Sequence, residues 1–183
     1  MATPFADLDR VPVIRGFLDL PFRSARPQGP PRPGSAERDR EGLRRAVSIM
    51  REKTGGHLFL GGHSYGGRQS TILAAEEPEL VEGLLLLSYP LHPPRKPAEL
   101  RTTHFPNLRK PCLFVHGTRD PFGTIAEMQS ALELIPAPPA LLEVDGTGHD
   151  LLAKKAVSDL PARVAVAFRA FLSKAAVGRT TAR

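Results

Sequence analysis

Three residues far apart in this chain are of the types that can share one proton. Ser64 lies in Gly61-Gly62-His63-Ser64-Tyr65-Gly66-Gly67-Arg68, a G-x-S-x-G stretch preceded by the apolar run Leu58-Phe59-Leu60 and followed by a helix-like segment. Strand, tight turn and helix in that order hold a serine in a strained backbone with its hydroxyl at a strand tip. Such a turn excludes bulk two residues to either side, at Gly62 and Gly66. A serine hydroxyl is a poor nucleophile at neutral pH, so it needs a base, and the base needs a group to orient it. Asp120 lies in Gly117-Thr118-Arg119-Asp120-Pro121-Phe122-Gly123, just past an apolar run, and His149 lies in Asp145-Gly146-Thr147-Gly148-His149-Asp150, just past another. In that arrangement His149 takes the Ser64 proton and returns it to a leaving group, while Asp120 fixes the imidazole tautomer. Water then clears the acyl-enzyme. Asp145 and Asp150 are rival acids.

The remaining candidates are weaker. Tyr65 follows the nucleophile, so its backbone N–H is placed to stabilise an oxyanion. His92, in the proline cluster Pro90-Leu91-His92-Pro93-Pro94, and His63, beside Ser64, are the candidate substrate contacts. His57 and His116 read as structural, His104 as solvated, and Arg68 as a tie between loops. No His/Cys/Asp/Glu group has metal-ligand spacing, so neither a metal nor a cofactor is expected.

These residues must be positioned by elements whose apolar pattern is legible. Short apolar runs at Val13–Leu20, 57–61, 83–88, 112–116 and 140–144 read as strands, and Leu84-Leu85-Leu86-Leu87 lacks the alternation of a half-exposed one. Helix-period segments lie between them. One carries Leu43, Ala46, Val47 and Met50 on one stripe, with Ser35 as N-cap and Gly55-Gly56 as terminator. A second runs from the Ser64 turn to before Pro78. A third opens on the capping box Thr124-Ile125-Ala126-Glu127, and the last carries Leu160, Val164, Phe168 and Phe171 on one face. Strands alternating with helices predict an α/β fold, a mostly parallel sheet with helices on both faces. Residues 23–34 read as an exposed Pro/Arg-rich loop, 1–10 as irregular and 177–183 as a frayed tail.

Composition narrows the class. At 183 residues, with 41% hydrophobic and 24% charged content, the chain reads as one globular domain. Its net charge is +6, yet the arginines are scattered, without the basic helix or aromatic platform that nucleic-acid binding uses. The single cysteine, Cys112, sits in an apolar run and reads as a small buried hydrophobe. With no secretory signal and no run approaching the ~20 apolar residues that span a bilayer, the expectation is a cytoplasmic protein with a small-molecule acyl substrate and no membrane partner.

Beyond the three reactive residues, several stretches resemble one branch of the α/β-hydrolase superfamily. It is the branch of bacterial dienelactone-hydrolase-like proteins related to testis-expressed hydrolase-like proteins and to the hydrolase-like subunit of a histone-acetyltransferase complex. The resemblance rests on residues 61–68, Ser88-Tyr89-Pro90-Leu91-His92-Pro93-Pro94, Leu100-Arg101-Thr102-Thr103-His104, residues 117–123 and Gly146-Thr147-Gly148-His149. It implies an α/β-hydrolase fold and Ser64, Asp120 and His149 as a triad. Dienelactone hydrolases proper use a cysteine nucleophile, whereas serine stands here. The family also carries an upstream strand ending in a His-Gly loop that supplies a second oxyanion donor, and Met1–Arg10 has no such sequence. The resemblance therefore implies either a longer native protein or a shortened variant. In the variant, the 13–20 and 57–61 strands would pair directly and activity would be impaired.

Overall fold

The computed structural model describes residues 16–151 and 159–180. Its elements run α1 (Pro21–Ala25), α2 (Ala36–Thr54), β1 (Phe59–His63), α3 (Tyr65–Glu76), β2 (Gly83–Leu87), a 3-10 turn (Phe105–Asn107), β3 (Cys112–Gly117), α4 (Ile125–Leu132), β4 (Ala140–Val144) and α5 (Leu160–Thr180). The four strands form one sheet in the order β1-β2-β3-β4, every neighbour pair parallel. All four C-terminal ends therefore share one rim of the sheet.

The central strands β2 and β3 bury both faces, which explains the unbroken leucine run. Leu84 and Leu86 join Phe114, Ala74, Met128 and Phe105 in the larger apolar cluster on one side. On the other side, Leu85 and Leu87 pack with Leu113, Val115, Val144, Leu160 and Phe171. Cys112 is buried as expected, and burial pushes its thiol up to about 12, far from reactive thiolate.

The helices follow their sequence signals closely. Gly55 ends α2 in the left-handed conformation, φ 59°, and its N–H reaches back to the carbonyl of Arg51 at 3.0 Å. The Thr124 capping box opens α4 with both reciprocal bonds formed. Ser35 occupies the N-cap of α2, but its side chain makes no capping bond.

Four expectations need correction. Residues 16–20 form no strand and pair with no described strand, while residues 13–15 lie outside those described. Leu20 is instead a buried contact of Leu43 and Leu73, and Pro21, suited to a first helical position, turns the chain into α1. The stretch 23–34 is accordingly loop only beyond Ala25. His104 is half-buried rather than solvated: its Nε2–H donates to Thr71 Oγ1 at 2.8 Å, while the Thr71 hydroxyl donates to the Arg68 carbonyl. Burial, with Arg68 nearby, lowers the His104 pKa to about 4, so it stays neutral there. At the far end α5 runs to Thr180, past Val177, and residues 1–10 and 181–183 lie outside those described.

Candidate active site

Ser64 is the residue between the end of β1 and the start of α3, and its backbone is strained as the motif requires. It has φ 52° and ψ −121°, a region a non-glycine residue enters only when its surroundings impose it. The surroundings do. The Ser64 N–H donates to the Leu87 carbonyl at 2.8 Å, tying the turn to β2. The helix start also presses on the strand end, because a Cβ at Gly62 would lie 2.6 Å from the backbone of Gly66 and Gly67. Of the two helix glycines, it is Gly67 rather than Gly66 whose own Cβ would strike the strand end. A Cβ on Gly67 would meet the Gly62 carbonyl at 2.8 Å, whereas one on Gly66 meets only Leu20 Cδ1 at 3.9 Å. The third residue of the helix turns back toward the strand, and the second points off it.

Asp120 and His149 reach the same rim from the β3 and β4 ends. His149 Nε2 lies 2.7 Å from Ser64 Oγ, and its Nδ1–H donates to Asp120 Oδ2 at 2.8 Å, with Oδ1 at 3.1 Å. Because Nδ1 carries the proton to the carboxylate, Nε2 is the acceptor facing the hydroxyl. The Asp120 side chain is fully buried, and Oδ1 also accepts the Phe122 N–H at 2.9 Å. The His149 side chain is 21% exposed, so the imidazole is open to solvent and the carboxylate is not. Of the rival acids, Asp145 turns to the Thr118 hydroxyl, and Asp150 is exposed.

The two loops that carry Asp120 and His149 are packed onto one another. The Arg119 N–H donates to the Thr147 carbonyl at 2.8 Å, and the Gly146 N–H to Thr118 Oγ1 at 2.9 Å. At Gly117 the loops are so close that a Cβ would sit 2.5 Å from the Thr147 carbonyl oxygen. The Phe122 ring lies on the His149 imidazole, centroids 4.2 Å apart. This contact was missed in the sequence; its only signal was a position two residues beyond the acid.

Tyr65 is the first residue of α3, directly after Ser64, so its N–H has no carbonyl partner within the helix. Its phenol donates to Asp39 Oδ2 at 2.8 Å, and the other Asp39 oxygen accepts the Phe22 N–H at 2.8 Å. Asp39 is completely buried, and no motif announced it. Burial, helped by the Asp39 carboxylate, pushes the Tyr65 phenol up to about 12 and keeps it a donor.

The two predicted substrate contacts are placed differently, His92 turned inward and His63 beside the His149 ring. The His92 ring is buried: Nδ1–H donates to the Pro93 carbonyl at 2.8 Å, and Nε2 lies 3.5 Å from Glu127 in the α4 capping box. Its backbone N–H donates to the Phe122 carbonyl, so His92 supports the ring that packs on the base. His116 is buried beneath Asp120 with Nε2–H donating to the Gly123 carbonyl at 2.8 Å. His63 is exposed, and its Nε2–H donates across the rim to the His149 carbonyl at 2.9 Å. One strand tip thus grips residue 149 twice, by main chain through His63 and by side chain through Ser64. Losing one such bond is worth about 1 kcal/mol of positioning, or roughly fivefold in rate. We expect His63→Phe to lower kcat by about that factor with KM unchanged, and His63→Gln, which keeps a donor, to recover most of it. A rise in KM alone in steady-state kinetics would instead make His63 a substrate contact.

Residues 21–170 match the family model described as an alpha/beta hydrolase domain. The chain belongs to the α/β-hydrolase family. Among solved structures it is similar to TT1662 from Thermus thermophilus, with 25% identity, 78% of this chain and 64% of that one covered, and a TM-score of 0.57. It also resembles a dienelactone hydrolase from Anabaena variabilis (22% identity, 76% and 61% covered, TM-score 0.59). A monoacylglycerol lipase from Paleococcus ferrophilus shares the fold at 16% identity, 71% and 74% covered, TM-score 0.54. The chain thus spans less than two thirds of the Thermus and Anabaena proteins. Among the described residues no helix is long and apolar enough to cross a membrane, and no three His, Cys, Asp or Glu side chains group as metal ligands.

Proposed function

We propose that this α/β-hydrolase is a serine hydrolase acting on a small ester, thioester or amide. One observation carries the reading: an unbroken chain from Ser64 Oγ through the His149 ring to the buried Asp120 carboxylate, at 2.7 and 2.8 Å. In the first step Ser64 Oγ attacks the acyl carbon as its proton passes to His149 Nε2, and Asp120 stabilises the imidazolium. The tetrahedral oxyanion is held by the Tyr65 N–H. Collapse expels the leaving group, which takes the proton from Nε2. Water, deprotonated by the same nitrogen, then attacks the acyl-serine and releases acid and free Ser64.

The relatives supply precedent in kind: an esterase domain from Rhodothermus marinus and the Paleococcus lipase are neighbours in fold. The Tyr89-Pro90-Leu91-His92-Pro93-Pro94 segment supports the dienelactone-hydrolase-like branch related to the testis-expressed proteins. We read the protein as cytoplasmic, with a small acyl substrate as its partner rather than nucleic acid or membrane. A second reading, an impaired or non-catalytic scaffold that binds a partner, is favoured by one feature. Tyr65 supplies the single oxyanion donor identified among the described residues, and a missing donor costs roughly 10²–10³ in rate.

A fluorophosphonate probe separates the two. The catalytic reading expects covalent labelling of the wild type and hydrolysis of a short ester, both lost in Ser64→Ala. A folded protein that takes no label would leave the scaffold.

A further inference from the structure

Between α1 and the start of α2 lies a cleft of about 320 Å³ that the mechanism above does not use. Arg26, Arg32 and Arg38 line it together with Ser35 and Phe22, and no aspartate or glutamate does. We propose that this cleft binds a phosphoryl or carboxylate group carried by the acyl substrate. The assignment to substrate rests on the serine-hydrolase reading; the anion site itself does not.

The charges in the cleft are uncompensated in a way their neighbours are not. Farther along α2, Arg40, Arg44 and Arg45 each face a glutamate, namely Glu37 and Glu76, Glu41 and Glu77, and Glu41. Arg32 and Arg38 are exposed, and no carboxylate among the described residues pairs with either. Arg26 is held in place rather than neutralised, its Nη1 donating to the Pro30 carbonyl at 3.2 Å. Like charges around one concavity repel, and an anion between them removes that cost while accepting charge-assisted hydrogen bonds from planar guanidinium groups.

Ser35, in the cleft wall, sits at the N-cap of α2 without a capping bond, and its hydroxyl interacts with the Tyr65 phenol. The volume also selects. It stands at the low end of the roughly 300–1,000 Å³ of ligand pockets, enough for a phosphoryl-sized head group and too little for a long acyl chain.

One side chain links the cleft to the residue that follows Ser64. Phe22, in the cleft wall, meets the Tyr65 ring edge-on at 5.2 Å between centroids, and Phe22 and Tyr65 share Asp39 as hydrogen-bond acceptor. A substrate anchored by its anion in the cleft would extend past this wall toward the oxyanion side of Ser64.

The test uses the full chain, inorganic pyrophosphate and a matched pair of thioesters, S-acetyl phosphopantetheine and S-acetyl pantetheine. Calorimetry should give saturable 1:1 pyrophosphate binding, weakened at least about tenfold in Arg32→Ala/Arg38→Ala. The charge-matched control Lys53→Ala/Arg109→Ala, at exposed positions outside the cleft, should stay within about twofold. In kinetics the wild type should show a KM for the phosphorylated thioester about tenfold below that for its counterpart, a preference that collapses in the arginine double variant. No saturable binding, or equal weakening in both double variants, overturns the site and leaves only diffuse attraction to a basic protein. Pyrophosphate binding without preference between thioesters overturns the assignment to substrate. Arginine-dependent binding with no turnover of either thioester supports the anion site and counts against the serine-hydrolase reading alone.

Discussion

Ser64→Ala should abolish fluorophosphonate labelling and lower ester hydrolysis by at least about 10⁴-fold, and adding His149→Ala to it should cost nothing further. The reason is that the three groups act as a unit. Without the nucleophile, the base has no proton to take, so its removal is silent in the double variant. Asp120→Asn should cost about 10⁴-fold on its own. The amide would replace a buried carboxylate that accepts from both His149 Nδ1 and the Phe122 N–H, presenting a donor where the ring also donates. The imidazole would then turn its proton toward Ser64 Oγ and lose its capacity as a base. Single-turnover kinetics on the three single variants and the double variant provide the check. Multiplying losses would mean that the residues contribute independently and that the proton relay is not the mechanism.

Alanine at Gly62 should destabilise the protein by about 3 kcal/mol, while alanine at Gly66 should be neutral or stabilise it by about 0.5 kcal/mol. At Gly62 the added carbon would lie 2.6 Å from backbone atoms of Gly66 and Gly67, which cannot move without prying α3 off β1. Alanine at Gly67 would meet the Gly62 carbonyl oxygen at 2.8 Å and should be similarly costly. Gly66 is different: it lies in a helix, where alanine is favoured over glycine, and its nearest foreign atom is a flexible leucine methyl 3.9 Å away. Thermal unfolding would register the first two as losses on the order of 10 °C. The Gly62 variant should also lose activity, because the same contact holds Ser64 at its positive φ. Equal destabilisation at Gly62 and Gly66 would contradict this picture of the turn.

Much of the fold was legible locally because its signals are local. The Leu84–Leu87 run, the capping box at Thr124 and the glycine stop after Thr54 each act within a few residues, and each element formed within a residue or two of its signal. The 13–20 segment was misread for the same reason. Apolar content suggests a strand, but a strand exists only with a neighbour to accept its ladder bonds, and residues 16–20 have none among the described residues. His92 and His104 were misjudged by being in loops. Their burial comes from Glu127, Pro93 and Thr71, two of them distant in sequence.

By itself the sequence determined the order of strands and helices, and the placing of a serine, an acid and a histidine each just past a strand. These follow from apolar periodicity and turn chemistry, which are properties of short segments. Only the tertiary structure decided that the three strand ends share one rim, that Asp120 rather than Asp145 accepts the imidazole N–H, and that Asp39 and Phe122 brace the site. Those outcomes depend on parallel register and on which loops pack together, and such distances arise only when segments far apart in the chain exclude water from one another.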